Sequence, residues 1–186
     1  AINVDGTRGD LLVGPTFQGY ELSSRVLDRR IEPVFASMLD TLEHDDNEVL
    51  VHVSPLTGDP YTRVDRMDVF NGRRTAVARA PVRNAWFTTD NKGQVRFAWG
   101  HDEQNVSRMY YRDGDGAEWR LMADESKGRR EVPIGFSPDD RIAYLRVEMP
   151  AGPDALVAWD IAADTRTEVA RDDDVDPIPM YVDDRL

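Results

Sequence analysis

The chain has 186 residues and a formal net charge of −12 at pH 7, with 31% charged and 40% hydrophobic residues, as in ordinary globular proteins. That acidity argues against a nucleic-acid partner, since no basic stripe offsets phosphate repulsion, and no apolar run nears the roughly 20 residues that span a bilayer. With no cysteine, disulfides, thiolate metal sites and a cysteine nucleophile are excluded, in keeping with either cytoplasm or periplasm.

Ala1-Ile-Asn-Val-Asp-Gly6 lacks the basic start and apolar stretch of a signal peptide. It reads as the end of a strand entering a turn, so the chain is expected to be a piece of a longer one. Asn3-Val4, the turn Asp5 to Gly9 and Asp10 to Val13 predict a hairpin. In Gly14 to Glu32 the residues Leu22, Val26, Leu27 and Arg30 fall near helical spacing, which leaves a short helix or an irregular loop. From Pro33 the pattern becomes regular. Strands are predicted over Val34 to Leu42, Glu48 to Val53, Tyr61 to Phe70 and Thr75 to Ala80, with an Asn71-Gly72 hairpin between the last two. Asn84 to Thr89, Val95 to Trp99, Val106 to Arg112 and Glu118 to Met122 repeat this, with turns at Asp90 to Gly93 and Asp113 to Gly116. Glu131 to Phe136, Arg141 to Val147, Ala155 to Ile161 and Arg166 to Arg171 repeat it again, with a turn at Ser137 to Asp140. Asp172-Asp-Asp174 is a polar link, and Pro177 to Val182 looks like the start of another strand.

The repetition is visible in the residues. Asp68-Val-Phe-Asn-Gly-Arg-Arg-Thr-Ala-Val-Ala-Arg79 returns as Asp160-Ile-Ala-Ala-Asp-Thr-Arg-Thr-Glu-Val-Ala-Arg171, 92 positions on, which is twice 46. A degenerate copy, Tyr111 to Met122, lies midway. Val49, Val95 and Ile142 begin the second strands, 46 and 47 apart. A period of 40 to 50 residues built from strands is the mark of a β-propeller blade. The expected fold is all-β: a partial propeller of about three full four-stranded antiparallel blades with partial blades at both ends. The division is 1–13 the end of one blade, 14–32 an insertion, 33–80, 81–126 and 127–171 full blades, and 172–186 the start of the next. Three blades do not close a ring. Open flanks, at Phe35, Val51, Tyr144 and Leu145 among others, then predict a homodimer through the open propeller edges.

No residue is assigned a catalytic, cofactor or metal role. Gly135-Phe-Ser137-Pro-Asp139 begins like a nucleophile elbow but ends in Asp where Gly is needed, and Pro138 has no N–H for an oxyanion hole. It reads as a turn, with Phe136 filling the space between blades. Asp113-Gly-Asp-Gly-Ala-Glu118 departs from a calcium loop at its sixth and twelfth positions, Glu118 and Asp124. Asp172 to Asp174 with Asp176 read as solvated carboxylates. His44, His52 and His101 show no ligand spacing. Trp86, Trp99, Trp119 and Trp159 are expected to pack between blades.

Val49-Leu-Val-His-Val-Ser-Pro55, Met67-Asp-Val-Phe-Asn-Gly-Arg-Arg74, Tyr110-Tyr-Arg-Asp-Gly-Asp-Gly-Ala-Glu-Trp-Arg120 and Gly135-Phe-Ser-Pro-Asp139 together resemble the propeller of the prolyl oligopeptidase family of serine peptidases. The likeness is to its bacterial dipeptidyl- and acylaminoacyl-peptidase-like members. It implies a seven- or eight-bladed propeller capping an α/β-hydrolase domain that follows in sequence and bears the Ser-Asp-His triad. The chain would then be a non-catalytic segment restricting which peptides reach that domain, with the hydrolase domain and the peptide substrate as its partners. The alternative is a stand-alone propeller that binds proteins through its rim loops. No triad residue carries over. The paired glutamates with which some relatives hold a substrate's amino terminus have no match either, Glu21 and Glu32 not being adjacent.

Overall fold

The computed structural model describes residues 12–13 and 32–177. Among the described residues there are twelve strands and no helix. They form three four-stranded sheets, each a meander in chain order with every neighbouring pair antiparallel. The first sheet holds β1 (Val34–Asp40), β2 (Glu48–Pro55), β3 (Arg63–Asp68) and β4 (Arg74–Arg79). The second holds β5 (Trp86–Thr89), β6 (Val95–His101), β7 (Ser107–Tyr111) and β8 (Arg120–Asp124). The third holds β9 (Glu131–Phe136), β10 (Ile142–Val147), β11 (Ala155–Asp160) and β12 (Thr165–Arg171). Of the hairpin expected over Asn3 to Val13 only Leu12 and Val13 are described, and they lie in no strand; the rest of it, the candidate helix and the strand beyond Pro177 lie outside the described residues.

The turns follow from their residues. Gly72, Gly93 and Gly116 sit at φ of 66°, 71° and 80° in three of the hairpins, a region that costs a residue without Cβ little. Several strands are shorter than their sequence pattern predicts, and in β1 and β3 a carboxylate captures the backbone at the ends. Asp59 accepts the N–H of Tyr61 at 3.0 Å and Asp68 that of Phe70 at 2.8 Å, so β3 runs from Arg63 to Asp68 rather than from 61 to 70. Likewise Asp40 accepts the N–H of Leu42 at 2.8 Å and turns it to a φ of 52°, which stops β1 at Asp40.

The chain divides into two compact units, Ala1–Arg79 and Ala80–Leu186. The core of the first is Val34, Val49, Val51, Val53 and Met67, with Leu12 and Val13 packed against it. The core of the second joins its two sheets: Phe97, Met109, Tyr111 and Ala123 from one meet Phe136, Ala143, Leu145, Val147 and Trp159 from the other. Phe97 is the hub, with ring centroids 5.1, 5.5 and 6.1 Å from those of Tyr111, Phe136 and Trp159. Of the four residues expected on open flanks, Val51 and Leu145 are buried in these cores, at 3% and 0% exposure. On β10 Leu145 alternates with half-buried neighbours, whereas β2 is buried on both faces around Val51, so only Phe35, 62% exposed, and the half-buried Tyr144 reach the surface.

The two sheets of the second unit meet through opposite faces. The Arg96 carbonyl bonds forward to the N–H of Arg112, so Phe97, one residue on, turns its backbone back toward β5. On the third sheet it is Arg141 that bonds forward, to Ile161, and Leu145 shares its phase. In an antiparallel ladder those two phases put side chains on opposite faces. The sheets are thus stacked in one sense, like repeats in a row, rather than mirrored. A latch of four contacts joins their equivalent turns. Asn91 donates its N–H to the Asp140 carboxylate at 2.9 Å and its side-chain amide to the Ser137 carbonyl and Asp140, both at 2.7 Å, and Lys92 lies 3.4 Å from Asp140. Gly100 on β6 is required for another close approach, since a Cβ there would lie 2.5 Å from the Arg83 carbonyl oxygen.

Candidate functional site

Ser137 is 8% exposed and spends its hydroxyl inside its own turn. Its Oγ accepts the N–H of Ile142 at 2.9 Å and donates to Asp139 at 2.6 Å. That bond and the Arg141 N–H hold Asp139 below the usual carboxylate range. A serine whose proton points at a turn carboxylate is not poised as a nucleophile. In the Asp113 to Gly116 hairpin the carboxylates diverge, Asp113 to Arg120 at 3.1 Å and Asp115 to Arg112 at 2.5 Å. Asp172 accepts the N–H groups of Asp174 and Val175, at 2.8 and 3.2 Å, while Asp176 accepts that of Asp154 at 2.8 Å. Among the described residues no group of three or more His, Cys, Asp or Glu side chains is arranged to hold a metal ion. His44 is exposed, His52 buried in β2 and His101 half-buried at the end of β6, in three different settings.

The tryptophans divide. Trp159 is buried in the inter-sheet core and donates its Nε1–H to Asp164 at 3.0 Å, and Trp99 packs against that core. Trp119 precedes β8 and lies under the Arg112 guanidinium, 4.7 Å from it. Trp86 departs from the expected packing role. It faces outward on β5, 55% exposed, because its neighbour Phe87 takes the inward position.

The charged residues carry most of the remaining polar structure. Asp90, 4% exposed, accepts the Arg96 guanidinium at 2.8 Å, and Arg96 also bonds the Tyr111 hydroxyl. On the third sheet Glu131 accepts Arg166 at 2.5 Å through Oε1, while its buried Oε2 has no hydrogen-bond partner. Burial pushes the Glu131 carboxyl up, more than Arg166 pulls it down. A carboxyl raised above the ordinary 4.5 holds its proton more tightly in the folded chain. It therefore adds stability below that ordinary value and loses it as pH rises through the raised one. Glu131→Gln keeps an acceptor for Arg166, and is expected to remove that decline. Melting temperatures of both proteins between about pH 4 and pH 8 check this; parallel curves would show that Glu131 titrates alike in folded and unfolded chains.

A cluster of four ion pairs lies on the first sheet, and of its members the sequence had singled out Glu32 alone. Arg63 donates to Glu32 at 2.6 Å and to Asp65 at 2.9 Å; Arg74 donates to Asp65 at 3.0 Å and to the second oxygen of Glu32. Asp65 is 3% exposed and anchors both guanidinium groups. Burial works against the charge of Glu32, but the hydrogen bonds and charges of Arg63 and Arg74 outweigh it and hold Glu32 below the ordinary carboxylate range. Glu32 is therefore engaged by arginines and not free to receive an amino terminus. Glu21 lies outside the described residues. The signal that could have found the cluster is the repeat itself. Ninety-two positions after Arg63, Asp65 and Arg74 stand Ala155, Val157 and Arg166, so two of the three charges replace apolar residues. No protein-family model, curated protein or solved structure matches the chain.

Proposed function

We propose that the chain is a non-catalytic propeller segment of a serine peptidase of the prolyl oligopeptidase family, gating the access of peptides to a separate α/β-hydrolase domain. The observation that carries the propeller part is the same-sense stacking of two meander sheets through opposite faces, with their equivalent turns latched by Asn91. Repeats packed this way can add indefinitely or close into a ring. Tyr144, Leu156 and Ala158 on the third sheet are the counterparts, 47 positions on, of Phe97, Met109 and Tyr111, which are fully buried. Their half-buried state leaves room for a further sheet of the same kind, whether a next blade or a second copy forming a homodimer. The peptidase part rests on the resemblance of Val49 to Pro55, Met67 to Arg74, Tyr110 to Arg120 and Gly135 to Asp139.

A second reading, a stand-alone interaction scaffold, draws on exposed apolar residues in loops of the first sheet. Leu56 and Tyr61 between β2 and β3, and Phe70 between β3 and β4, are 45%, 37% and 75% exposed. The whole gene product separates the two. A fluorophosphonate-labelled serine within a downstream Gly-x-Ser-x-Gly element is the expected result; an unlabelled product without that element would replace the gate with the scaffold.

A further inference from the structure

We propose that Arg63 and Arg74 form a carboxylate receptor, and that Glu32 is its tethered occupant, displaced by a carboxylate of a peptide ligand. Each Glu32 oxygen is gripped by a different arginine, Oε1 by Arg63 at 2.6 Å and Oε2 by Arg74. Each guanidinium spans Asp65 and one Glu32 oxygen, a bridge that needs the fixed fork of an arginine and that a lysine's single ammonium cannot make. The arginines do not depend on Glu32 for their aim. Asp65 takes Arg63 Nε at 2.9 and 3.2 Å and Arg74 Nη1 at 3.0 Å, so both would stay oriented with Glu32 withdrawn. Two cations would then face one buried anion, leaving a single unmatched positive charge where Glu32 had been.

The third sheet shows that the fold does not need this cluster. It holds the same meander with Ala155 and Val157 where the first has Arg63 and Asp65. There Arg166, the counterpart of Arg74, reaches Glu131 at the head of β9, and a single arginine suffices. The first sheet adds a second arginine and a nearly buried aspartate in positions that packing alone fills with apolar side chains. Buried charge is costly to place, and a departure from a repeat's own pattern at such cost marks a site rather than a strut. Glu32 is also the most accessible of the four, its side chain 35% exposed against 28%, 18% and 4% for Arg63, Arg74 and Asp65. It can leave without disturbing the anchor.

A tethered carboxylate competes at an effective concentration on the order of millimolar, so it masks the receptor from weak ligands. Glu32→Gln keeps the size of the side chain and removes the competing charge. Isothermal titration of the folded variant uses N-acetylglutamic acid α-amide, which offers only a side-chain carboxylate, and N-acetylalanine, which offers only a chain-terminal one. At least one probe is expected to bind Glu32→Gln about tenfold or more tightly than wild type, and the tighter of the two names the source of the ligand group. Adding Arg74→Lys, which keeps the charge but loses the fork, should cancel the gain. Absence of the tenfold gain, or a gain that Arg74→Lys leaves intact, would overturn the proposal. So would failure of Glu32→Gln to fold, which would make Glu32 a strut.

Discussion

Phe136→Ala is expected to destabilise the second unit by about 3–5 kcal/mol, whereas Ser137→Ala, the next residue, should cost roughly 0.5–1.5 kcal/mol. Phe136 is 5% exposed, and its ring lies 5.5 Å from that of Phe97 across the inter-sheet core. The Arg96 guanidinium rests over it at 5.4 Å. Removing the ring opens a cavity that two latched sheets cannot close by collapse, and strips one side of a buried cation. Ser137 contributes one acceptor for the Ile142 N–H and one donor to Asp139, both in a turn whose other backbone bonds persist. Urea unfolding of the two variants measures the difference. Equal losses would mean that the turn, not the aromatic packing, holds β9 against the second sheet.

That pair of residues also shows what was legible in advance. Phe136 and Ser137 sit where strand alternation and the Pro138-Asp139 turn signal place them, and β9 spans Glu131 to Phe136 as its pattern predicts. Period-2 apolar patterns and glycine turns are local, so they survive in a single sequence. The breaks in pattern were harder. Asp40, Asp59 and Asp68 shorten strands by capturing a backbone N–H two residues on, a choice between two good hydrogen bonds that propensity does not decide. The outward turn of Trp86 depends on which face of β5 meets the core, and both Trp86 and Phe87 would suit it. The Glu32, Arg63, Asp65 and Arg74 cluster joins residues 42 positions apart at its widest. Charged residues on a strand ordinarily read as its solvated face, and only the comparison with Ala155 and Val157 exposes them as an exception.

The second large effect is expected at Asp90. Its Oδ1 accepts the N–H groups of Lys92 and Gln94, at 3.1 and 2.9 Å, and its Oδ2 takes Arg96 at 2.8 Å. The Asp90 and Arg96 side chains are only 2% and 11% exposed. Arg96 in turn bonds the Arg112 carbonyl at 3.1 Å and lies over the Tyr111 and Phe136 rings, at 5.1 and 5.4 Å. Burial disfavours its charge, and Asp90 and Tyr111 more than restore it. Asp90→Ala removes the counter-charge and the turn acceptors while leaving the guanidinium in place, a loss of about 3–5 kcal/mol. Asp113→Ala is the control, because the Asp113 and Arg120 side chains are 66% and 57% exposed. Water screens that pair, and its removal should cost no more than about 1 kcal/mol. The double variant Asp90→Ala, Arg96→Met then separates two origins of the loss. If the cost is the stranded cation, removing both charges recovers part of it, so the double variant unfolds at higher urea than Asp90→Ala alone. If the double variant is weaker still, the aspartate matters as a turn acceptor and Arg96 as packing over Tyr111 and Phe136, and the ion pair is not what secures β6 to the core.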